Sequence, residues 1–190
     1  MIDVSGIKTE ITTLRSELAM SEFIAGFVDP ERFLTMCAKC TNFGRTWACP
    51  PYDFDPMSIW QEYSRILLYA KKVCLPVEET EKTRPADELA SVYKALLKPV
   101  ADSIRKELLE LEGAMPGSLA LFAGGCDICQ ACTREKGEPC AHPELMRFSV
   151  ESLGGDVIKC FGELLHERVL WAENGRLPEH FILMGALLMK

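Results

Sequence analysis

Apolar residues recur along the chain with two different periods, and the period separates predicted helices from predicted strands. Steps of three and four residues, as in Ile7, Ile11, Leu14 and Leu18, are typical of one apolar face of a helix. Short, nearly continuous apolar runs are typical of buried strands. The pattern predicts helices over about 7–24, 87–112 and 155–173, and strands over 65–75, 118–124 and 181–189.

The predicted strands are separated by predicted helices, which favours parallel pairing with right-handed crossovers. A chain of 190 residues with 48% hydrophobic residues can build one substantial core. We therefore expect a single α/β domain over residues 1–190. Its core should be a small, mostly parallel sheet of three or four strands flanked by helices, with cysteine-rich loops at 37–52 and 124–143.

The charge of the chain narrows the classes of partner. A net charge of −7 argues against general nucleic-acid binding and against docking on an anionic membrane. The first twenty residues lack the basic start and apolar run of a signal peptide. The apolar segment at 180–190 is too short to span a bilayer. We expect a soluble, cytoplasmic protein.

Cysteine usage changes this picture of an ordinary globular domain. Seven of the nine cysteines lie in the two loops. In a reducing compartment, clustered cysteines more often bind metal or act in redox chemistry than form disulfides. Cys74 and Cys160 lie inside apolar elements instead and are expected to be core residues.

The second loop, "GGCDICQACTREKGEPCAHP", has the spacing C-x2-C-x2-C-x7-C. Three equal steps let the backbone curl around a cube and present thiolates to successive irons, whereas structural zinc usually takes two separate C-x2-C pairs. The x7 gap and the alanine after Cys140 depart from the bacterial ferredoxin motif. We expect at least one [4Fe-4S] cluster, held by Cys126, Cys129, Cys132 and Cys140 or by a set in which Cys49 replaces one of them.

The first loop, "CAKCTNFGRTWACPPY", supplies three cysteines, Cys37, Cys40 and Cys49. Three arrangements stay open. The loop could hold a second cluster with a fourth ligand from Cys74, Cys160 or His142. It could share one cluster with the second loop, or it could hold a cluster that leaves one iron open for a substrate. A redox dithiol formed by Cys37 and Cys40 is a further alternative.

These two motifs, together with their order and separation, resemble DUF2284, a family described as predicted metal-binding proteins. The resemblance covers about residues 30–160. It implies a cysteine-ligated metal or an iron–sulfur cluster but no known reaction. The motif cysteines of the family fall on Cys37, Cys40, Cys49, Cys126, Cys129, Cys132 and Cys140.

Five other residues near the loops are candidates for supporting roles. Arg45 could offset the charge of a cluster or bind an anionic substrate, and Trp47 could shield a cluster from water. His142 could be a ligand or donate to a cluster sulfur, or it could be an ordinary loop histidine. Glu151 could act in catalysis, whereas Asp156 is the expected N-cap of the third helix.

Three classes of function follow. An electron-transfer protein would have a fully ligated cluster near its surface and a redox protein as partner. An enzyme would have an open iron at Cys37, Cys40 and Cys49 and a cavity lined by groups such as Arg45. A zinc-stabilised structural domain is the third class. The strand predicted at 181–189 could also be an edge that pairs with a second copy in a homodimer.

Overall fold

The computed structural model describes residue 4 and residues 6–190. Residues 1–3 and 5, which belong to the predicted domain and to the N-terminal segment read for a signal peptide, lie outside the described residues. The strands are β1 (Glu10–Ala19), β2 (Arg65–Cys74), β3 (Leu119–Leu121) and β4 (His180–Met189). The helices are α1 (Met20–Phe27), α2 (Pro30–Cys37), α3 (Pro56–Gln61), α4 (Val77–Thr80), α5 (Ala86–Ala114) and α6 (Val157–Leu164). Short 3-10 helices cover Thr133–Lys136 and Glu151–Leu153.

The sheet is antiparallel, so the expected mostly parallel sheet is wrong. Its strand order is β1-β2-β4-β3, and every neighbouring pair runs antiparallel. The crossover through α5 does connect two strands of the same direction, β2 and β3. However, β4 lies between them in the opposite direction, as in a split β-α-β unit. The order of elements along the chain could not show this insertion.

The first predicted helix, over 7–24, is also wrong, because β1 occupies most of it. Leu14 and Leu18 are half-buried, and Ser16 between them is half-buried as well. Residues four apart share a face in a strand as well as in a helix, so this spacing fits both periods. Pairing with β2 along ten residues, from Glu10 to Ala19, decides for the strand.

The third predicted helix is shorter than expected. Asp156 caps α6 as predicted, since its carboxylate accepts a hydrogen bond from the Lys159 N–H at 2.9 Å. The helix ends at Leu164, and His166 has a left-handed backbone with φ of 55°. That conformation is incompatible with a continuing right-handed helix, so the chain runs on irregularly toward Trp171.

Each face of the sheet carries its own hydrophobic cluster. On one face, α5 packs through side chains such as Ile104 and Leu108, both with no exposed surface, as its predicted apolar face requires. On the other face, α1, α3 and α6 pack around Trp60, whose indole N–H donates to the Leu153 carbonyl at 3.0 Å. The two clusters fix the sheet between helices and leave the cysteine loops outside it.

The strand β3 covers only the last part of β4. Its three residues pair with Ala186, Leu187 and Leu188. At Phe122 the chain turns away, and the Phe122 N–H donates to the Phe148 carbonyl at 2.8 Å. The first half of β4 therefore has an edge that β3 does not cover. None of the helices in the described part of the chain combines the length and apolarity needed to cross a membrane.

Candidate metal centre

The first cysteine loop begins at the C-terminal end of α2. Asp29 caps this helix by accepting from the Arg32 N–H at 3.0 Å, and Cys37 is its last residue. Tight turns follow, in which the Cys40 N–H donates to the Cys37 carbonyl at 2.8 Å and the Cys49 N–H to the Thr46 carbonyl at 3.2 Å. These turns fold the loop back so that Cys49 returns toward the helix end.

The three thiols of the first loop lie near one another. Burial raises the pKa of Cys37, and the negative charges that Cys49 and Cys40 carry as thiolates raise it further. Burial also raises the pKa of Cys49, against a hydrogen bond with the Thr46 side chain that lowers it. A metal cation nearby would reverse this preference, because thiolates form readily beside positive charge.

The position of α2 depends on Gly154, which follows the 3-10 helix Glu151–Leu153. Gly154 has φ of +95°, and a Cβ there would lie 2.6 Å from the Cα of Pro30. Its carbonyl also accepts from the Asp29 N–H at 2.8 Å. A side chain does not fit between these backbones, so glycine lets α2 approach the turn that carries Glu151.

The second cysteine loop leaves β3 and forms its own small cavity. Its four cysteines are all half-buried. Together they line one cavity of about 20 Å³, which also contacts Trp47, His142 and Met146. The liners of this cavity include the whole second-loop set, Cys126, Cys129, Cys132 and Cys140.

An ionic cluster that the sequence did not reveal anchors the second loop to α5. Asp127 accepts from Lys98 at 2.9 Å and from Arg105. These hydrogen bonds lower the pKa of Asp127 although burial opposes the change. Burial raises the pKa of the neighbouring Cys126, while the Ile128 N–H and Arg105 act in the opposite direction. The start of the loop is thereby fixed on a long helix.

The two loops contact each other mainly through Arg134. Its guanidinium donates to the carbonyls of Thr46 at 2.7 Å, of Cys49 at 2.5 Å and of Pro51. It also lies over the Trp47 ring, 5.2 Å from the centroid. Arg134 was not among the sequence candidates, because a basic residue in a polar loop gives no signal of a distant main-chain partner.

Arg45 and Trp47 make further links between the loops. Arg45 forms an exposed ion pair with Glu135 at 2.6 Å, and the Trp47 indole N–H donates to the Glu138 carbonyl at 3.1 Å. Arg45 therefore contacts the second loop, and the residues that line the cleft beside Cys37 and Cys40 do not include it. Trp47 lies at the four-cysteine cavity.

The remaining cysteines and His142 take different positions. Cys160 is fully buried in the core, and burial raises its pKa to about 12. Cys74 ends β2 opposite His180, and neither it nor Cys160 lines the four-cysteine cavity. His142 does line that cavity, with its Nδ1 3.8 Å from the Glu144 carboxylate.

The side chains are not arranged as a ready single-ion site. Among the described residues, no three His, Cys, Asp or Glu side chains converge closely enough to ligate one metal ion. A four-iron cube does not require such convergence, because each thiolate binds a different iron. The donor set fits soft-metal chemistry, since four thiols from one loop share one cavity.

A large cleft lies beside the first loop. It measures about 660 Å³, within the range of small-molecule sites. Cys37 and Cys40 line it, as does Glu151, whose Oε2 is shielded from solvent without a hydrogen-bond partner in the described part of the chain. Burial raises the pKa of Glu151. The sequence had proposed a cavity beside this loop, but its main walls, Tyr93, Phe161 and Trp171, were not among the candidates.

A protein with two interlocked cysteine loops on a small α/β scaffold belongs to the class of thiolate metal-binding proteins in its donor chemistry. The chain belongs to the family DUF2284, predicted metal-binding proteins, whose model matches residues 26–189. This confirms the resemblance seen in the two motifs. No match is found among the curated proteins or among the solved structures.

Proposed function

We propose that the protein binds a [4Fe-4S] cluster through the second loop and transfers electrons to or from a redox protein partner. The observation that carries this proposal is the single cavity shared by four thiols, Cys126, Cys129, Cys132 and Cys140. Family membership supports metal binding in general. The equal spacing of the first three cysteines supports a cluster over a zinc ion.

The loop has room to adapt to such a cluster. A cavity of about 20 Å³ accepts a body of about one water molecule, so a cube requires the loop to open. Residues 124–132 contain no helix or strand that would resist this movement. When bound, the cluster would supply one-electron chemistry.

The residues around the cavity have defined parts in this proposal. Trp47 covers one side and limits the access of water, which tunes the potential of a cluster. Arg105 lies close enough to Cys126 to lower its pKa, and Arg134 acts in the same way on Cys49. These cations offset part of the negative charge of bound thiolates.

The test is the metal content of protein purified without oxygen. We expect about four irons and four acid-labile sulfides per chain, with the broad visible absorption of a cluster. About eight irons would show that the first loop holds a cluster too. Zinc at about one ion per site, without iron or visible absorption, would contradict the cluster and leave a structural domain.

A second candidate function is an enzyme that binds substrate at an open iron on Cys37, Cys40 and Cys49. The cleft of about 660 Å³ beside Cys37 and Cys40 favours it, because a pure carrier does not need a substrate-sized space there. Eight irons in the anaerobic protein, together with a cluster spectrum that changes when a small molecule is added, would support this candidate.

A further inference from the structure

The cleft beside the first loop lies along the part of β4 that β3 leaves uncovered. Residues Phe181–Met184 line it, together with Ala123 and Gly124 from the chain that turns away after β3. The opposite walls come from α5, α6 and the irregular segment after α6, through Tyr93, Val157 and Trp171.

The direction of the main-chain groups on this edge follows from the sheet register. The Ala120 N–H donates to the Glu112 carboxylate at 2.8 Å, so it points away from β4. Leu119 and Leu121 must then point toward β4, and their partners Leu188 and Ala186 point toward β3. Main-chain direction alternates along a regular strand, and the register of β2 with β4 is unbroken.

Ile182 and Met184 therefore direct their N–H and C=O groups into the cleft. No residue among 4 and 6–190 donates to these N–H groups or accepts from them on that side. Main-chain polar groups in largely apolar surroundings are nearly always paired. These groups offer two donors and two acceptors on one edge.

The other walls of the cleft favour flat, uncharged chemistry. Phe33, Tyr93 and Trp171 present aromatic rings, and Trp171 is 63% exposed, which is high for an indole. The cations at the cleft are engaged: Arg32 pairs with Asp156 at 2.8 Å, and Lys159 donates to the Gly26 carbonyl at 2.8 Å. No cation is thus left to hold a phosphate among the described residues that line the cleft.

We propose that this cleft binds an uncharged planar heteroaromatic molecule that carries N–H and C=O groups on one edge. The aromatic walls cover the faces of the ring, and the main chain of Ile182 and Met184 pairs with its polar edge. The ligand lies beside Cys37 and Cys40. The proposal does not depend on a metal in either loop, so its failure and that of the cluster proposal are distinguishable.

The probe is lumiflavin, which has an imide N–H flanked by carbonyls and no phosphate. Equilibrium dialysis measures its binding without interference from any chromophore of the protein. We expect lumiflavin to bind and its N3-methyl derivative, which lacks the imide donor, to bind about three- to tenfold more weakly. No retention of lumiflavin, or equal retention of both compounds, would overturn the proposal.

A pair of variants tests the protein side of the same contact. Ile182→Pro removes the N–H that faces the cleft and keeps the pairing of β4 with β2. Ile182→Ala shortens the same side chain and keeps the N–H. We expect Ile182→Pro to bind lumiflavin about three- to tenfold more weakly than Ile182→Ala. Equal affinity of the two folded variants would overturn main-chain recognition; if Ile182→Pro does not fold, the methylated probe decides.

Discussion

The two cysteine loops differ in completeness and in what they face. The second loop brings four thiols around one small cavity and is anchored to α5 by Asp127. The first loop brings three thiols together at the end of α2 and lies beside a cleft of about 660 Å³. The comparison indicates a division of roles: a complete ligand set suits a resident metal group, and an incomplete set next to a cleft suits contact with a small molecule.

The largest effect should come from removing a thiol of the complete set. Cys132→Ala should lower the iron content by about four atoms per chain, because a cubane loses most of its stability with a missing ligand. Cys74→Ala, at the end of β2, should leave the iron content unchanged. Iron and sulfide analysis of anaerobic protein measures both, and the comparison fails if Cys37→Ala empties the protein while Cys132→Ala does not.

The seat of the first loop should be the next most sensitive feature. Gly154→Ala combines a left-handed backbone with a clash against Pro30, so we expect a loss of about 3 kcal/mol in the free energy of unfolding. Gly162→Ala is the matched control, since a Cβ there meets nothing within 4 Å and α6 gains about 0.5–1 kcal/mol. Denaturant unfolding distinguishes them; equal stability of both variants would contradict the close approach of α2.

The link between the loops should depend on Arg134. Arg134→Ala removes hydrogen bonds to the carbonyls of Thr46, Cys49 and Pro51, and we expect a loss of about 2 kcal/mol, reduced from the full value by solvent. Lys136→Ala, an exposed neighbour in the same 3-10 helix, should change stability by less than about 0.5 kcal/mol. An Arg134→Ala protein as stable as Lys136→Ala would show that the loops do not need this contact.

Acid should separate the loops from the scaffold. Burial alone would raise the pKa of Glu107, but hydrogen bonds from Lys71, Tyr69 and Ser103 outweigh it and lower the pKa to about 2. A lowered pKa means that this carboxylate stabilises the fold fully above its ordinary value of 4.5, and that the contribution is lost as the pH falls toward 2. Because Glu107 is partly exposed, we expect about 1–2 kcal/mol.

The measurement is denaturant unfolding of wild type and Glu107→Gln at pH 6 and pH 3. The stability difference between them should shrink at the lower pH. Thiolate ligands are protonated more readily, so metal release should occur at a higher pH than this loss of stability. A difference between the two proteins that grows on acidification would contradict the assignment.

The smallest effect should come from the exposed ion pair between the loops. The side chains of Arg45 and Glu135 are 62% and 39% exposed, so we expect Arg45→Ala to cost less than about 1 kcal/mol. A double-mutant cycle with Glu135→Ala measures the coupling. A coupling larger than the effect of Arg134→Ala would reverse the order of importance of the two arginines.

Much of the architecture was readable from the chain itself. Continuous apolar runs predicted β2, β3 and β4, and the apolar stripe of α5 predicted a helix that the structure extends to Ala114. Spacing identified both cysteine loops and the family, because ligand spacing is a local property of the sequence. The N-cap Asp156 was readable for the same reason.

Only the tertiary structure decided which elements become neighbours. The position of β4 between β2 and β3 makes the sheet antiparallel, and β1 replaced a predicted helix because its ten residues pair with β2. The contacts of Arg134, the cleft and the free edge at Ile182 and Met184 join residues far apart in sequence. Such contacts depend on packing and register, which no local pattern encodes, whereas the sequence by itself determined the thiols and their spacing.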